Sequence, residues 1–431
     1  MHGRHLVSVV VVCSLLALGC DPEPPPKGLC QGVAVPCTAF PVGTSEQTIS
    51  AAFAQAAPGA TLVFDSGTYA FTNSLNLAAV AGVTVRGQGA DKTILDFKGQ
   101  AAGADGILAD RTNRVAFRDF WVRDPISSGV RVNHADGVTM HGLKVSWTTP
   151  DISKHGAYGL YPVLSHDVVL EDSAVSGASD SGICASQLDH AIVRRNDLSG
   201  NVAGIIVRNP YLLDLMDNRV HQNSVGIIVG TLPGDEQLNG HDIRIAGNQI
   251  VDNNVPGLDR PDATVDRVPS GTGLVVAGNH RVEISGNTIS NHGTNGIAVV
   301  SLLFAGIPLD PGIDPFPTAI HVHDNTLSGI GASPDMTKAL GQLLASGAAA
   351  WDACCGGHLP DILVDGIVSP FVSPGANPMG WCVKPGTSTF ANLHADRLDP
   401  EMDNLGAIAE TTASAFDCAS PVLPPVVVPG A

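Results

Sequence analysis

Aliphatic residues recur along the chain in short alternating runs, each opened by a glycine. The clearest are Gly182-Ile183-Cys184-Ala185, Gly204-Ile205-Ile206-Val207 and Gly226-Ile227-Ile228-Val229. Related pairs stand at Gly106-Ile107, Gly129-Val130, Gly159-Leu160, Gly273-Leu274 and Gly296-Ile297, and most neighbouring copies are 22 or 23 residues apart. A second phrase keeps step with the first: apolar, any, apolar, any, any, Asn. It reads Ala191/Val193/Asn196, Leu213/Leu215/Asn218, Ile243/Ile245/Asn248, Val282/Ile284/Asn287 and Ile320/Val322/Asn325. Two residues past each Asn comes another aliphatic, Leu198, Val220, Ile250, Ile289 or Leu327. Alternation within a run predicts strands, whose side chains point to opposite faces in turn. A fixed period predicts that these strands stack.

Three short inward-facing runs per period, with Gly or Asn at the bends, fit an all-β fold: a right-handed parallel β-helix. About ten coils are expected between Val83 and Val364, giving a body about 50 Å long at the usual strand spacing. An Asn recurring at one bend can bond its amide to the coils above and below. Phe120, Leu143 and Ser173 replace it in earlier coils, so that ladder should run along only part of the stack. Thr44 to Gln47 reads as a capping box, followed by Ile49, Ala52, Phe53 and Ala56 at helical spacing. A short helix there would cover the exposed edge of the first coil. From Gly331 the period fails; Asp335 to Ala353 predicts a helix over the far end or side, and the Pro- and Val-rich tail after Phe416 should be loose.

The N-terminus adds an address. Arg4 precedes an apolar run from Leu6 to Leu18, and Ala17-Leu18-Gly19-Cys20 resembles a bacterial lipoprotein cleavage box with its Leu and small residue reversed. The expected organisation is a signal segment at 1–20 with Cys20 lipidated, a proline-rich tether at 21–43, the β-helix at 44–330 and a C-terminal segment at 331–431. Such a protein belongs in the bacterial cell envelope, anchored to a membrane by lipid, or is secreted. Export implies an oxidising compartment. Cys30 with Cys37 and Cys382 with Cys418 are expected bridges, the adjacent Cys354 and Cys355 should each pair elsewhere, and Cys184 is the odd thiol.

Charge narrows the partners. Lys plus Arg total 23 against 41 Asp plus Glu, a formal net charge of −18, which argues against nucleic acid, whose affinity rests mainly on phosphate neutralisation. Insertions before the glycine strand, at Thr148–Lys154 and Val255–Ser270, and after it, at Thr231–Gly240 and Ser301–Pro317, should wall a groove floored by that strand. Counting two residues on from each glycine places Leu108, Arg131, Tyr161, Cys184, Ile206 and Ile228 on the floor. Polar side chains gather in the early coils: Arg131, Tyr158, Tyr161 and Asp180, with Lys154 and His155 on the adjoining loop, as candidates for catalysis. His134, Asp151, Gln187 and Arg208 are candidates for substrate binding. Cation, phenol, imidazole and carboxylate are what uronic-acid chemistry needs: neutralise the carboxylate, remove the C5 proton, and supply one. His321 and His323 share one strand face, with Glu283 and Asp365 expected on adjacent coils, but two exposed imidazoles alone assign no metal. The acidic loops Asp259–Asp266 and Asp310–Asp314 could hold calcium, although they lack a glycine-aspartate repeat; no cofactor is otherwise expected.

The helix followed by PGATLVFDSGTY and then GVTVRGQG resembles the opening of many proteins in the pectin-lyase-like right-handed β-helix superfamily, and residues 155–209 are similar to bacterial parallel β-helix repeat proteins. The resemblance covers roughly residues 46–394 and implies the fold more strongly than an activity, since lyases, hydrolases and epimerases share it. Alginate epimerases carry Tyr-Gly-Phe-Asp-Pro-His in this region. Here Tyr158, Gly159 and Pro162 match, while Tyr161 replaces the acid and Val163 the imidazole, so that activity is not carried over. The expectation is a monomeric, exported β-helix acting on or binding a polysaccharide, with a non-catalytic glycan- or protein-binding surface as the alternative and a periplasmic metal-handling protein as the more remote one.

Overall fold

The computed structural model describes residues 28–429 apart from 34, 257–263, 374, 376, 402 and 420. The expected signal segment, Cys20 and most of the acidic loop at Asp259–Asp266 lie outside the described residues. Each coil lays down one strand in each of three parallel sheets of 12, 10 and 11 strands, called here sheets A, B and C in the order the chain meets them. One representative coil runs Asp189–Arg194 in sheet A, Asp197–Ser199 in sheet B and Ala203–Arg208 in sheet C, then returns to sheet A at Tyr211–Met216. This is the right-handed parallel β-helix that the periodicity predicts.

Inward positions align coil on coil. In sheet C, Ile183 pairs with Ile205, Ile205 with Ile227, Ile227 with Leu274 and Leu274 with Ile297. All five are fully buried, and because the period repeats the same residue type at the same level, one continuous aliphatic column fills the coil. Apolar burial of this kind contributes about 25 cal/mol per Å² removed from water.

The corners are built from two amide ladders. Between sheets A and B, Asn218 Nδ2 donates to Asn248 Oδ1 at 3.0 Å and to the Val193 carbonyl at 3.0 Å, while its own Oδ1 accepts from the Asn196 backbone at 3.1 Å. The residue before each Asn sits in the left-handed region, a conformation Gly247 and Gly286 adopt without steric cost. A second ladder, unforeseen, turns sheet B into sheet C through Asn201, Asn223 and Asn253. It ends on His292, whose Nε2 lies 3.1 Å from Asn253 Nδ2. The signal was present as an Asn five residues after Asn196, Asn218 and Asn248.

Helix α1, Glu46–Ala54, closes the first coil, with Ile49 and Phe53 buried. Its cap is Ser45, accepting from the Thr48 N–H, one residue later than the expected Thr44. Cys37–Phe40 already pairs with Thr61–Phe64, and Ile362–Val364, Cys382–Val383 and Phe390–Asn392 add strands after the repeat has faded. Helices α2, Ala339–Ser346, and α3, Ala348–Cys355, lie over the outward face of sheet C, where Leu344 and Trp351 pack with Val275, Ala298 and Leu363.

The tail, expected to be loose, is laid along sheet A. The Leu423 N–H donates to Glu283 at 2.7 Å, the Val426 N–H to Asp214 at 3.1 Å, and Val428 is buried against Val169 and Ile192. Prolines keep it extended, and the carboxylates accept from the backbone N–H groups it retains. Cys382–Cys418 fastens its start, and Cys30–Cys37 also forms. Cys354 and Cys355 bridge each other rather than pairing elsewhere. The remaining free cysteine of the described residues, Cys184, is sealed into sheet C and out of reach.

Burial at the end of the second ladder holds the His292 imidazole down at about 4. In the unfolded chain the ring titrates near 6.5, so protonation favours unfolding: this stability is complete above pH 6.5 and is lost as pH falls toward 4. His292→Asn, which supplies the residue that the ladder uses elsewhere, should change stability little at pH 7.5. At pH 4.5 it should gain roughly 2 to 3 kcal/mol over the parent. Urea unfolding at the two pH values measures this, and an equal difference at both would contradict the account.

Candidate functional site

Strand pairing sets Leu108, Arg131 and Tyr161 side by side on the outward face of sheet C, and Cys184 with Ile206 and Ile228 on the coils that follow. The floor therefore changes character along its length. From Arg131 to Cys184 it is polar; from Ile206 onward it is aliphatic.

The aliphatic part is covered. Ile152, from the loop before Tyr158–Val163, and Val265 and Val268, from the loop before Thr272–Ala277, pack with Val202, Ile206 and Ile228. Beyond them α2 and the Ser301–Pro317 loop close over the sheet. They leave an apolar cavity of about 70 Å³ lined by Val275, Ala298, Phe304 and Leu344. The groove expected along the whole strand is thus restricted to its early coils.

In the polar part, the rings of Tyr158 and Tyr161 are 4.6 Å apart, and the Arg131 guanidinium lies 5.2 Å from the Tyr161 ring centroid. This is within the range of a cation–π contact. Among the described residues no carboxylate pairs with Arg131, and its buried Nε has no hydrogen-bond partner. Arg208 comes from the next coils and pairs with Asp235 at 2.7 Å, leaving its own Nε without a partner. Asp180, buried, adds negative charge beside Tyr158 and Cys184. The Ser186 hydroxyl, on the same face, also lacks a partner. Buried donors left open in this way cost free energy unless a ligand or water completes them.

Burial raises the Tyr158 phenol well above the usual tyrosine range, with Cys184 and Asp180 adding to it. Burial also raises Tyr161 and the Cys184 thiol. All three therefore keep their protons at neutral pH: the phenols are available as hydrogen-bond donors, and the thiol is not a nucleophile. Burial works against the Arg208 charge, and the Asp235 carboxylate 2.7 Å away helps to hold the guanidinium protonated.

The other candidates take different places. His155 stacks on Trp147, its Nδ1 lies 2.6 Å from the Gly177 carbonyl, and its Nε2 lies 2.8 Å from both Thr149 oxygens. Both nitrogens are occupied in shaping the loop. Lys154, 75% exposed, pairs with Asp151 at 3.3 Å at that loop's surface. Gln187 Oε1 accepts from the Glu236 and Gln237 N–H groups, so it anchors the Thr231–Gly240 wall. His134 is exposed in a left-handed corner. The structure thus gathers Arg131, Tyr158, Tyr161, Asp180 and Arg208, walled by a loop that Gln187 holds. Sequence reading missed Asp235 and Asn209, which fix that wall; Asn209 Nδ2 donates to Asp235 at 2.8 Å. Their sequence signal was position alone: Asp235 lies inside the Thr231–Gly240 insertion, and Asn209 directly follows the strand Ala203–Arg208.

His321 and His323 stack with centroids 4.1 Å apart, and Glu283 lies 3.2 Å from His323 Nε2. Asp365 is no neighbour of theirs: it follows a sheet C strand, and its carboxylate accepts from the Ser301 N–H. Asp310 accepts from the Gly234 N–H at 2.6 Å, a contact between two loops.

Residues 128–302 match a family described as a right handed beta helix region. No curated protein matches the sequence. Among solved structures, the chain is similar to the A-module of the mannuronan C-5 epimerase AlgE4 of Azotobacter vinelandii, with 15% identity, 74% of this chain and 88% of that chain covered, and a TM-score of 0.42. It is also similar to a polygalacturonase from Erwinia carotovora, with 10% identity, 64% and 81% covered and a TM-score of 0.45. A third is the DFA-IIIase of Arthrobacter chlorophenolicus A6, with 12% identity, 72% and 85% covered and a TM-score of 0.45. At these identities the likeness concerns the fold alone.

If burial sets the two phenols, alkaline titration followed by tyrosinate absorbance should show no step between pH 9 and 11 that Tyr158→Phe/Tyr161→Phe removes. A step near pH 10 that disappears in the double variant would mean that water reaches both rings.

Proposed function

We propose that the early sheet C groove of this right-handed parallel β-helix, whose sequence resembles the pectin-lyase-like superfamily, takes an acidic polysaccharide and that the protein is carbohydrate-active. The observation that carries this reading is Arg131: a half-buried cation with no carboxylate partner among the described residues, on a protein of net charge −18. It lies against a tyrosine pair whose rings offer a platform for a sugar face. A uronate carboxylate would complete Arg131 and reach toward Arg208 through charge-assisted hydrogen bonds. On this reading Asp180 would take a proton from the sugar, and Tyr158, which holds its own, would give one. The products would be those of proton abstraction beside a carboxylate, elimination or epimerisation.

The disulfides fit an exported protein. We take export to be directed by residues 1–20, with a lipid on Cys20 as the anchor. No helix among the described residues is long and apolar enough to cross a membrane.

A second reading, a groove that binds glycan without turning it over, is favoured by one observation: His155, the imidazole nearest the site in sequence, has both nitrogens occupied. A panel of oligouronates and neutral oligosaccharides separates the two. Binding is expected for the acidic members, with unsaturated or epimerised product on the first reading and none on the second. Arg131→Ala should weaken oligouronate binding by tenfold or more, about 1.4 kcal/mol, and Tyr161→Ala comparably. Lys154→Ala, at the loop surface, should change it less than twofold. No binding by any acidic member would end both readings.

A further inference from the structure

The corner where sheet C passes into sheet A carries a column of polar residues outside the groove. Asp136 pairs with His166, His166 with Asp189, and Asp189 with Tyr211 on successive coils. The residue after each corner position is left-handed, including Asp167 at φ 52° and His190 at φ 53°. That twist interrupts strand alternation, so two consecutive side chains face outward. Asp189 and His190 thereby join His166 on one spot of surface.

Three observations there agree. His190 Nδ1 lies 3.0 Å from Asp189 Oδ1, and His166 Nε2 lies 3.7 Å from Asp189 Oδ2. Ligand atoms about 2.0–2.1 Å from a tetrahedral zinc are about 3.3 Å from one another, and the two separations bracket that value. Secondly, His190 Nδ1 is sealed from solvent yet makes no hydrogen bond, even to the carboxylate beside it; nitrogen and oxygen are aimed past each other. Thirdly, the far nitrogen of His166, Nδ1, lies 3.5 Å from Asp136 and 3.4 Å from Asp167. A proton on Nδ1, facing those two carboxylates, would leave the Nε2 lone pair toward Asp189, the outer arrangement common to metal-ligating histidines.

Charge points the same way. Among the described residues no Lys or Arg pairs with Asp136, Asp167 or Asp189. The other His-and-carboxylate group, His141 with Glu171 and Asp172, is already neutralised by Arg194 and Arg195, each 2.7 Å from Glu171. Of these two groups, the first is the one left with uncompensated negative charge next to two imidazoles.

We propose that His166, Asp189 and His190 form a surface site for a divalent transition metal, zinc by preference, open on its solvent side and oriented through His166 by Asp136 and Asp167. Two imidazoles and one carboxylate favour zinc over calcium, which takes all-oxygen ligands.

Zinc chloride titrated calorimetrically into the chelator-stripped full chain should show one saturable site per chain with a dissociation constant below about 10 µM, near −7 kcal/mol. Cobalt(II) added instead should develop the intense visible absorption of a low-coordinate ion. His166→Ala and His190→Gln should each weaken zinc at least tenfold and abolish the cobalt band while keeping the β-sheet circular dichroism of the parent. His323→Ala, at the other histidine pair, should leave both unchanged. Asp189→Asn serves as a third variant should either histidine change reduce folding, and it too should weaken zinc. No saturable zinc site, equal affinity in all three variants, or calcium binding as tight as zinc would overturn the proposal.

Discussion

The structure depends on each coil coming back into register with the last, so that aliphatic side chains from three sheets meet at the same level of the axis. Ile183, Ile205, Ile227, Leu274 and Ile297 occupy one such column without exposing any surface. A residue inserted within a strand would turn its inward set outward. Insertions therefore go to corners, and corner insertions become walls beside a strand face. The groove follows from the same constraint that forms the core, and its position on sheet C reflects where Thr148–Lys154 and Thr231–Gly240 enter.

Much of this was legible because the constraint is written locally. A glycine and two alternating aliphatics reveal which residue of the strand points out, and counting placed Arg131, Tyr161 and Cys184 on one face, where strand pairing puts them. The fate of loop side chains was not legible. Lys154 and His155 are adjacent in sequence, yet one is turned to solvent and the other stacks on Trp147. Trp147 and Gly177 decide that, one before the loop and one a coil further on. The tail was misread for a related reason. Its composition carries no period, and its order comes from Glu283 and Asp214, residues 140 and 212 positions away in the chain.

The late coils show why the site is short. Sheet C offers the same outward column throughout, but Val275, Ala298 and Leu363 present aliphatic side chains that need cover, and α2 and α3 provide it. The early coils present Arg131, two tyrosines and Cys184 instead, which no helix covers. Composition along a single column thus separates the part of the face that is core from the part left for a ligand. Proton retention by the buried phenols follows from the partial enclosure of that remaining part.

The corners divide labour by what they require. At the turn from sheet A to B, and again from B to C, side-chain amides bridge successive coils in the later part of the stack, and Asn recurs there. From sheet C to A the requirement is on the backbone, which includes a left-handed residue at the second position of the sheet A strand. Asp167, His190, Leu212, Asp242, Arg281 and Ala319 all meet it, with φ between 51° and 59°. Asp and His enter this conformation more readily than most residues, yet Leu, Arg and Ala are accepted there as well. The fold thus fixes the backbone at this corner and leaves the side chain unspecified. A column whose conformation is imposed and whose chemistry is free can carry histidines and carboxylates on consecutive coils, each facing solvent, at no cost to the core.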